Sequence, residues 1–258
     1  MVSPILNSRV IELSETASTN ADAMRLALAG EALPLWVIAR RQTAGRGRAG
    51  RTWVSGEGNL QTSLAVICDA PLAMAAQLAL VAGVALLDAV QSVSPGAHNI
   101  APRLKWPNDI LIGGSKAGGI LVESTPALGQ PGFLAVLGFG VNVATYPRDL
   151  GRAATSLSQH GVTANAGEIR THLAAAMDRW LQVWRQSQGF HEVREAWMAR
   201  GGEIGESITV QSASGPVTGT YQGLDATGAL LASIDGRLQT VTYGDVMIVE
   251  PRPDGGSR

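Results

Sequence analysis

Short apolar runs recur through the first part of the chain and predict strands at Val10 to Leu13, Leu35 to Arg41, Asn59 to Cys68, Lys116 to Glu123 and Phe133 to Val143. Helical stretches separate them. Ser18-Thr19-Asn20 is a cap-like cluster ahead of Ala21 to Ala29, and Pro71 to Val93 is a long Ala/Leu helix with proline near its start. Arg103 to Ile112 predicts a hairpin or strand pair broken by Pro107-Asn108-Asp109. The polar, glycine-containing stretch from Val143 to Gly161 has no period and reads as a mobile loop. Glu168 to Gln188 returns to helical spacing. Leu173, Met177, Trp180, Leu181 and Trp184 fall on one face, which makes them core residues, and Phe190 to Arg200 is a further helix.

After Gly201-Gly202 the texture changes. Ser207–Val210, Val217–Gln222, Ala229–Ser233, Leu238–Tyr243 and Val246–Val249 are short β runs with turn residues between them. Five strands in so short a span suggest a small barrel, separate from the α/β body. The division expected is a body over residues 1–200, a β domain over 201–250 and a disordered tail over 251–258.

Composition narrows the function classes. Hydrophobic residues make up 45% and charged residues 16% of 258, enough for a real core. A net charge of −1 gives no bulk attraction to nucleic acid or to an anionic membrane. The longest apolar stretch, Leu78 to Leu87, is too short to span a bilayer, and Met1-Val2-Ser3-Pro4 lacks a signal-peptide pattern. The single cysteine, Cys68, lies in an apolar run and reads as a buried structural thiol. It excludes an internal disulfide framework and fits a reducing cytoplasm. The chain has 18 arginines but only two lysines, Lys105 and Lys116. Those two therefore draw attention as sites where arginine does not substitute.

Gly45-Arg46-Gly47-Arg48-Ala49-Gly50-Arg51 formally matches the dinucleotide fingerprint and follows a strand. That fingerprint needs a helix starting at the glycines. Thr52-Trp53-Val54-Ser55-Gly56-Glu57-Gly58-Asn59 follows instead, without helical period. Gly113-Gly114-Ser115-Lys116 lacks P-loop spacing. Arg40, Arg41, Arg46, Arg48 and Arg51 place five guanidinium groups in twelve residues. Their mutual repulsion predicts a loop that is loose until an anion gathers it. A polyphosphate offers bidentate partners, the glycines let backbone N–H groups approach, and Trp53 offers a face for a base.

Both lysines lie in motifs: Lys105-Trp106-Pro107-Asn108-Asp109 and Lys116-Ala117-Gly118-Gly119-Ile120-Leu121-Val122-Glu123. Gly138-Phe139-Gly140-Val141-Asn142-Val143 is a glycine-broken strand ending in an amide. Residue chemistry alone supports ATP acting on a small carboxylic acid. A carboxylate is ionised at neutral pH and needs no general base. Cations that join two anions are what its activation requires. His98, His160, His172 and His191 fall outside every motif.

Taken in order, Ser18-Thr19-Asn20, Gln42 to Trp53, Lys105 to Asp109, Lys116-x-x-Gly119-Ile120-Leu121 and Gly140-Val141-Asn142 resemble the biotin–protein ligases over nearly the whole chain. The resemblance implies an α/β (α+β) fold. Its catalytic domain would carry a mixed sheet, related to class II aminoacyl-tRNA synthetases and lipoate ligases, with a C-terminal SH3-like β-barrel. It implies ATP with Mg2+, biotin as substrate, and a biotin carboxyl carrier protein as acceptor. Ser18, Thr19, Asn20 and Gln42 would hold the biotin ring, and Arg46, Gly47 and Arg48 would close over its carboxylate and the phosphate. Arg51 and Trp53 would serve the nucleotide, and Lys116 would contact carboxylate and α-phosphate. Asn108, Asp109 and Asn142 would touch magnesium or phosphate. Arg48 and Lys116 are thus the expected catalytic pair. Some members carry an N-terminal DNA-binding domain; only 17 residues precede Ser18, so no DNA partner is expected. The sequence is silent on oligomeric state; the resemblance implies a monomer or a homodimer, with the homodimer preferred. A lipoate or octanoate ligase, and a non-catalytic biotin-binding protein, are the alternatives.

Overall fold

A computed structural model describes residues 5–54, 56–94, 100–148, 153–212, 215–242, 244 and 246–248. The tail expected at 251–258 lies outside the described residues, as do Tyr243 and Val249 at the ends of two expected strands. Seven strands form one sheet: β1 (Arg9–Thr16), β2 (Leu35–Gln42), β3 (Leu60–Cys68), β4 (Arg103–Lys105), β5 (Asp109–Ile112), β6 (Ser115–Pro126) and β7 (Phe133–Val141). Their order is β1-β2-β3-β7-β6-β5-β4. β1 and β2 run parallel and all other neighbours antiparallel, so the sheet is mixed, as expected.

Both faces of the central strands are covered, which is why β3 and β7 read as continuous apolar runs rather than alternating ones. On one face Leu35, Val37, Ala65, Leu134 and Val136 pack with Ala23 of helix α1 (Thr19–Leu28). The alternate residues Trp36, Leu64, Ala135 and Leu137 point into the main core, which α2 (Gln77–Ser92), α3 (Ala166–Trp184) and α4 (Phe190–Met198) close. Helix α2 and the 3-10 turn before it, Leu72–Ser92, are together long and apolar enough to cross a membrane. That corrects the ten-residue estimate from sequence, but most of this stretch is buried in the protein core. On α3, Leu173, Met177, Leu181 and Trp184 are buried as expected. Trp180 is half-buried, and its indole N–H reaches Asp88 Oδ2 at 2.7 Å.

The stretch from Val143 to Gly161, expected to be mobile, is irregular yet tied down where described. Asn59 Oδ1 accepts from the N–H groups of Val143, Ala144 and Thr145 at 2.9–3.0 Å. Ala153 and Thr155 exchange backbone hydrogen bonds with Lys116. Side-chain amides and backbone bridges do here what periodicity cannot reveal.

The last five strands, β8 (Ser207–Ser212), β9 (Gly215–Leu224), β10 (Leu230–Ile234), β11 (Arg237–Val241) and β12 (Val246–Ile248), form an antiparallel sheet in the order β11-β10-β9-β8-β12. The expected small β domain is therefore present. Its core is not separate: Ile208, Tyr221, Leu230 and Val246 belong to the same buried cluster as Leu104 and Trp197. Trp106 Nε1 donates to the Gly228 carbonyl at 3.1 Å, and Arg103 pairs with Glu206 at 2.7 Å.

Candidate active site

An open cleft crosses the sheet where β2 ends and β6 begins. Twelve of the thirteen expected site residues line it: Ser18, Thr19, Asn20, Gln42, Arg46, Gly47, Arg48, Arg51, Trp53, Asn108, Asp109 and Lys116.

One end is polar and neutral. Ser18 caps α1, its hydroxyl facing the Ala21 N–H at 3.5 Å. Gln42 Oε1 accepts from the Thr19 N–H at 2.8 Å and from its hydroxyl at 3.1 Å. Asn20 lies on β7, where a Cβ on Gly138 would come within 2.1 Å of its Oδ1. The glycine break in β7 therefore makes room for a helix side chain. Asn20 Nδ2 donates to the Leu121 carbonyl at 3.2 Å and to Glu123 Oε2 at 2.8 Å.

The other end is cationic. The arginine–glycine loop folds as a hairpin, with the Trp53 N–H on the Gly45 carbonyl and the Gly47 N–H on the Arg51 carbonyl. Gly45 is required there, since a Cβ would meet the Trp53 carbonyl oxygen at 2.5 Å. Arg48 donates to Asn108 Oδ1 at 3.4 Å and to the Gly244 carbonyl at 3.2 Å, and Arg46 pairs with Glu123 at 3.3 Å. The loop expected to be loose thus has internal and cross-domain bonds. Trp53 lies over Gly140, where a Cβ would meet its Cε2 at 2.4 Å, with Lys116 Nζ 5.7 Å from its ring centroid. Its indole N–H is buried in the cleft with no acceptor among the described residues.

Two expectations change. Asn142 does not line the cleft. It is 3% exposed, and its amide donates to the Thr155 carbonyl at 3.0 Å and the Lys116 carbonyl at 3.4 Å. Its amide nitrogen clamps the backbone of Lys116 and Thr155. Asp109, expected at magnesium, holds Lys116 Nζ at Oδ1 and lies 3.4 Å from Lys105 Nζ at Oδ2. Among the described residues no group of three His, Cys, Asp or Glu could hold a metal ion. Two ammonium groups on the one carboxylate do not fit a resident magnesium, which needs oxygen donors.

Sequence reasoning missed Ser63 and Glu123. Ser63 Oγ lies 2.8 Å from Thr19 Oγ1 and 2.6 Å from Asn20 Oδ1. The signal was available: Gln61, Thr62 and Ser63 are three consecutive polar residues in a strand that is otherwise apolar. Glu123 closes a motif already singled out, but only the fold shows it bridging Asn20 and Arg46. Burial pushes the Cys68 thiol up to about 12, in keeping with a structural role.

A neutral polar pocket joined to a cationic hairpin, on a mixed sheet with an appended β domain, defines a protein that binds an anionic ligand with a polar head. The biotin/lipoate A/B protein ligase family matches residues 13–142, and the biotin protein ligase C-terminal domain matches residues 204–249. The chain belongs to this family of ligases. It is 41% identical over 229 residues to the biotin–[acetyl-CoA-carboxylase] ligase of Paracoccus denitrificans, covering 85% of this chain and 92% of that protein. The enzyme of the same description from Mycobacterium tuberculosis is 35% identical over 244 residues, covering 91% and 87%. Among solved structures, the biotin protein ligase of Aquifex aeolicus in complex with biotin and ATP superposes with a TM-score of 0.77 at 25% identity, covering 93% and 99%.

Proposed function

We propose that the chain is an ATP-dependent biotin–protein ligase with a body over residues 1–200 and an SH3-like domain over 201–250. The biotin carboxylate attacks the α-phosphorus of ATP, forming biotinyl-5'-AMP and releasing pyrophosphate. A lysine amine of a biotin carboxyl carrier protein then attacks the mixed anhydride, forming the amide and releasing AMP. The observation that carries this reading is the meeting of Lys116 and Arg48 in one cleft whose far end is the neutral Ser18, Thr19, Gln42 cluster.

Ser18, Thr19 and Gln42 take the ureido head, whose donors and acceptors match hydroxyl and amide groups. Lys116 and Arg48 offset the repulsion between carboxylate and α-phosphate and hold the charge that grows on the phosphorus oxygens. Arg46 and Gly47 cover the acid from the hairpin, and Arg51 and Trp53 serve the nucleotide, for which the unpaired indole N–H is a donor. The hairpin also keeps water from the adenylate. Magnesium would accompany the triphosphate and would supply neutralisation of its charge. A cytoplasmic location is part of the reading: the single cysteine, Cys68, allows no internal disulfide. A net charge of −1 supports action without direct DNA binding. A homodimer is part of the reading, and the elution of the purified chain at the monomer mass would remove it.

The test is Lys116→Ala. Adenylate formation from biotin and ATP is expected to fall by about a thousandfold while the fold is retained. Unchanged pyrophosphate release would remove Lys116 from the chemistry.

A further inference from the structure

The only two lysines of the chain meet at one carboxylate. Lys116 Nζ is paired with Asp109 Oδ1, and Lys105 Nζ lies 3.4 Å from Asp109 Oδ2. The hairpin of β4 and β5 sets this up by placing Lys105 opposite Asp109. All three side chains are largely enclosed, at 13% for Lys116, 22% for Lys105 and 11% for Asp109. Lys105 has a second tether: it donates to the carbonyl of Val246, in β12, at 3.1 Å.

Eighteen of the twenty basic residues are arginine, so lysine at these two positions calls for a physical reason. A guanidinium presents a fork that takes both oxygens of a carboxylate at once. An ammonium is a compact charge that takes one oxygen and leaves the other open. Two lysines can therefore share Asp109 where one arginine would fill it. The sharing sets the charge of the group. Asp109 with Lys116 alone sums to zero, whereas with Lys105 the three sum to +1, the sign needed to draw a carboxylate and a phosphate together.

We propose that Lys105 is a positioning residue that keeps a cation on Asp109, so that Lys116 can turn from Asp109 to the substrate anions. This rests on the reading of Lys116 given above. Between side chains this enclosed, the attraction of Asp109 for Lys116 competes with the attraction of the substrate. Lys105, held from behind by the Val246 carbonyl, weakens that competition without touching the substrate itself. Beside the bond from Arg48 to the Gly244 carbonyl, it is a second link from the C-terminal domain to the chemistry.

The experiment uses the full chain labelled with 13C,15N-lysine, which yields two side-chain ε signals, assigned with Lys105→Arg. Biotin plus α,β-methylene-ATP is the probe. The Lys116 signal is expected to move on binding and the Lys105 signal to stay. In parallel, Lys105→Met is expected to lower kcat for ATP–pyrophosphate exchange by about ten- to a hundredfold. KM for biotin should stay within about threefold, because the ring pocket is untouched. Lys105→Arg, which keeps the charge but can take both oxygens of Asp109, should fall between Lys105→Met and wild type. A stationary Lys116 signal refutes the role of Lys116 itself. A Lys116 signal that moves together with Lys105, a folded Lys105→Met with wild-type kcat, or a loss confined to KM overturns the inference about Lys105 alone. Should Lys105→Met unfold, the two signals in the wild-type chain still decide between these outcomes.

Discussion

Substituting alanine for each of the two glycines of β7 separates what holds the fold from what performs the chemistry. At Gly138 the new methyl would sit 2.1 Å from Asn20 Oδ1. Asn20 cannot withdraw, because it is buried and bonded to Ser63, Leu121 and Glu123. Overpacking of about 1–3 kcal/mol, joined by about 1 kcal/mol for each hydrogen bond lost, puts the expected destabilisation of Gly138→Ala at about 3 kcal/mol or more. At Gly140 the methyl would sit 2.4 Å from Trp53 Cε2. Ordinary carbon contacts lie near 3.5–4.0 Å, so the indole must retreat by about 1 Å. Trp53 lies on a hairpin and its indole N–H has no partner among the described residues to lose, so the retreat costs about 1 kcal/mol or less. It does, however, move the wall beside Lys116, and a displacement of about 1 Å can cost up to about a hundredfold in rate. Urea unfolding and ATP–pyrophosphate exchange on both variants read the two effects. Gly138→Ala should lose stability first and Gly140→Ala activity first. Equal loss of stability in both, or unchanged exchange in Gly140→Ala, refutes the reasoning.

Other outcomes follow from the same structure. Asn59→Ala removes the acceptor of three backbone N–H groups and should cost about 2–4 kcal/mol by urea unfolding. Cys68 should resist thiol reagents at pH 8 in the native chain and react once it is unfolded. Its native value near 12 lies above its ordinary 9.0, so the contribution to stability is whole below pH 9 and is lost as pH rises toward 12, by about 1.4 kcal/mol per pH unit. Biotin plus ATP should slow hydrogen exchange across Gly45 to Trp53, and unchanged exchange would deny that the hairpin closes over the ligand.

Motifs that act locally were legible in the sequence. The cap at Ser18, the break after Lys105 and the absence of a helix after Gly50 are decided by neighbouring residues, and the structure agrees, although the break expected at Pro107-Asn108-Asp109 falls at Trp106-Pro107-Asn108 and Asp109 opens β5. Partners from distant strands were not legible. Glu123 meets Asn20 and Arg46 only because β6 runs beside β7 beneath α1. Asn142 carries an amide suited to phosphate, yet the end of β7 turns it toward the backbone of Lys116. The junction with the C-terminal sheet was hidden for the same reason: Trp106 and Lys105 find acceptors at Gly228 and Val246, more than a hundred residues away.

The central claim is activation of biotin as an acyl-adenylate in the cleft of Lys116 and Arg48. Its most direct test is ATP–pyrophosphate exchange by the purified chain with biotin, lipoate and octanoate side by side. The account predicts exchange with biotin at least about a hundredfold above the other two acids, because only biotin fills the hydrogen-bonding groups of Ser18, Thr19 and Gln42. Exchange that is equal among the acids, or faster with lipoate or octanoate, would contradict it.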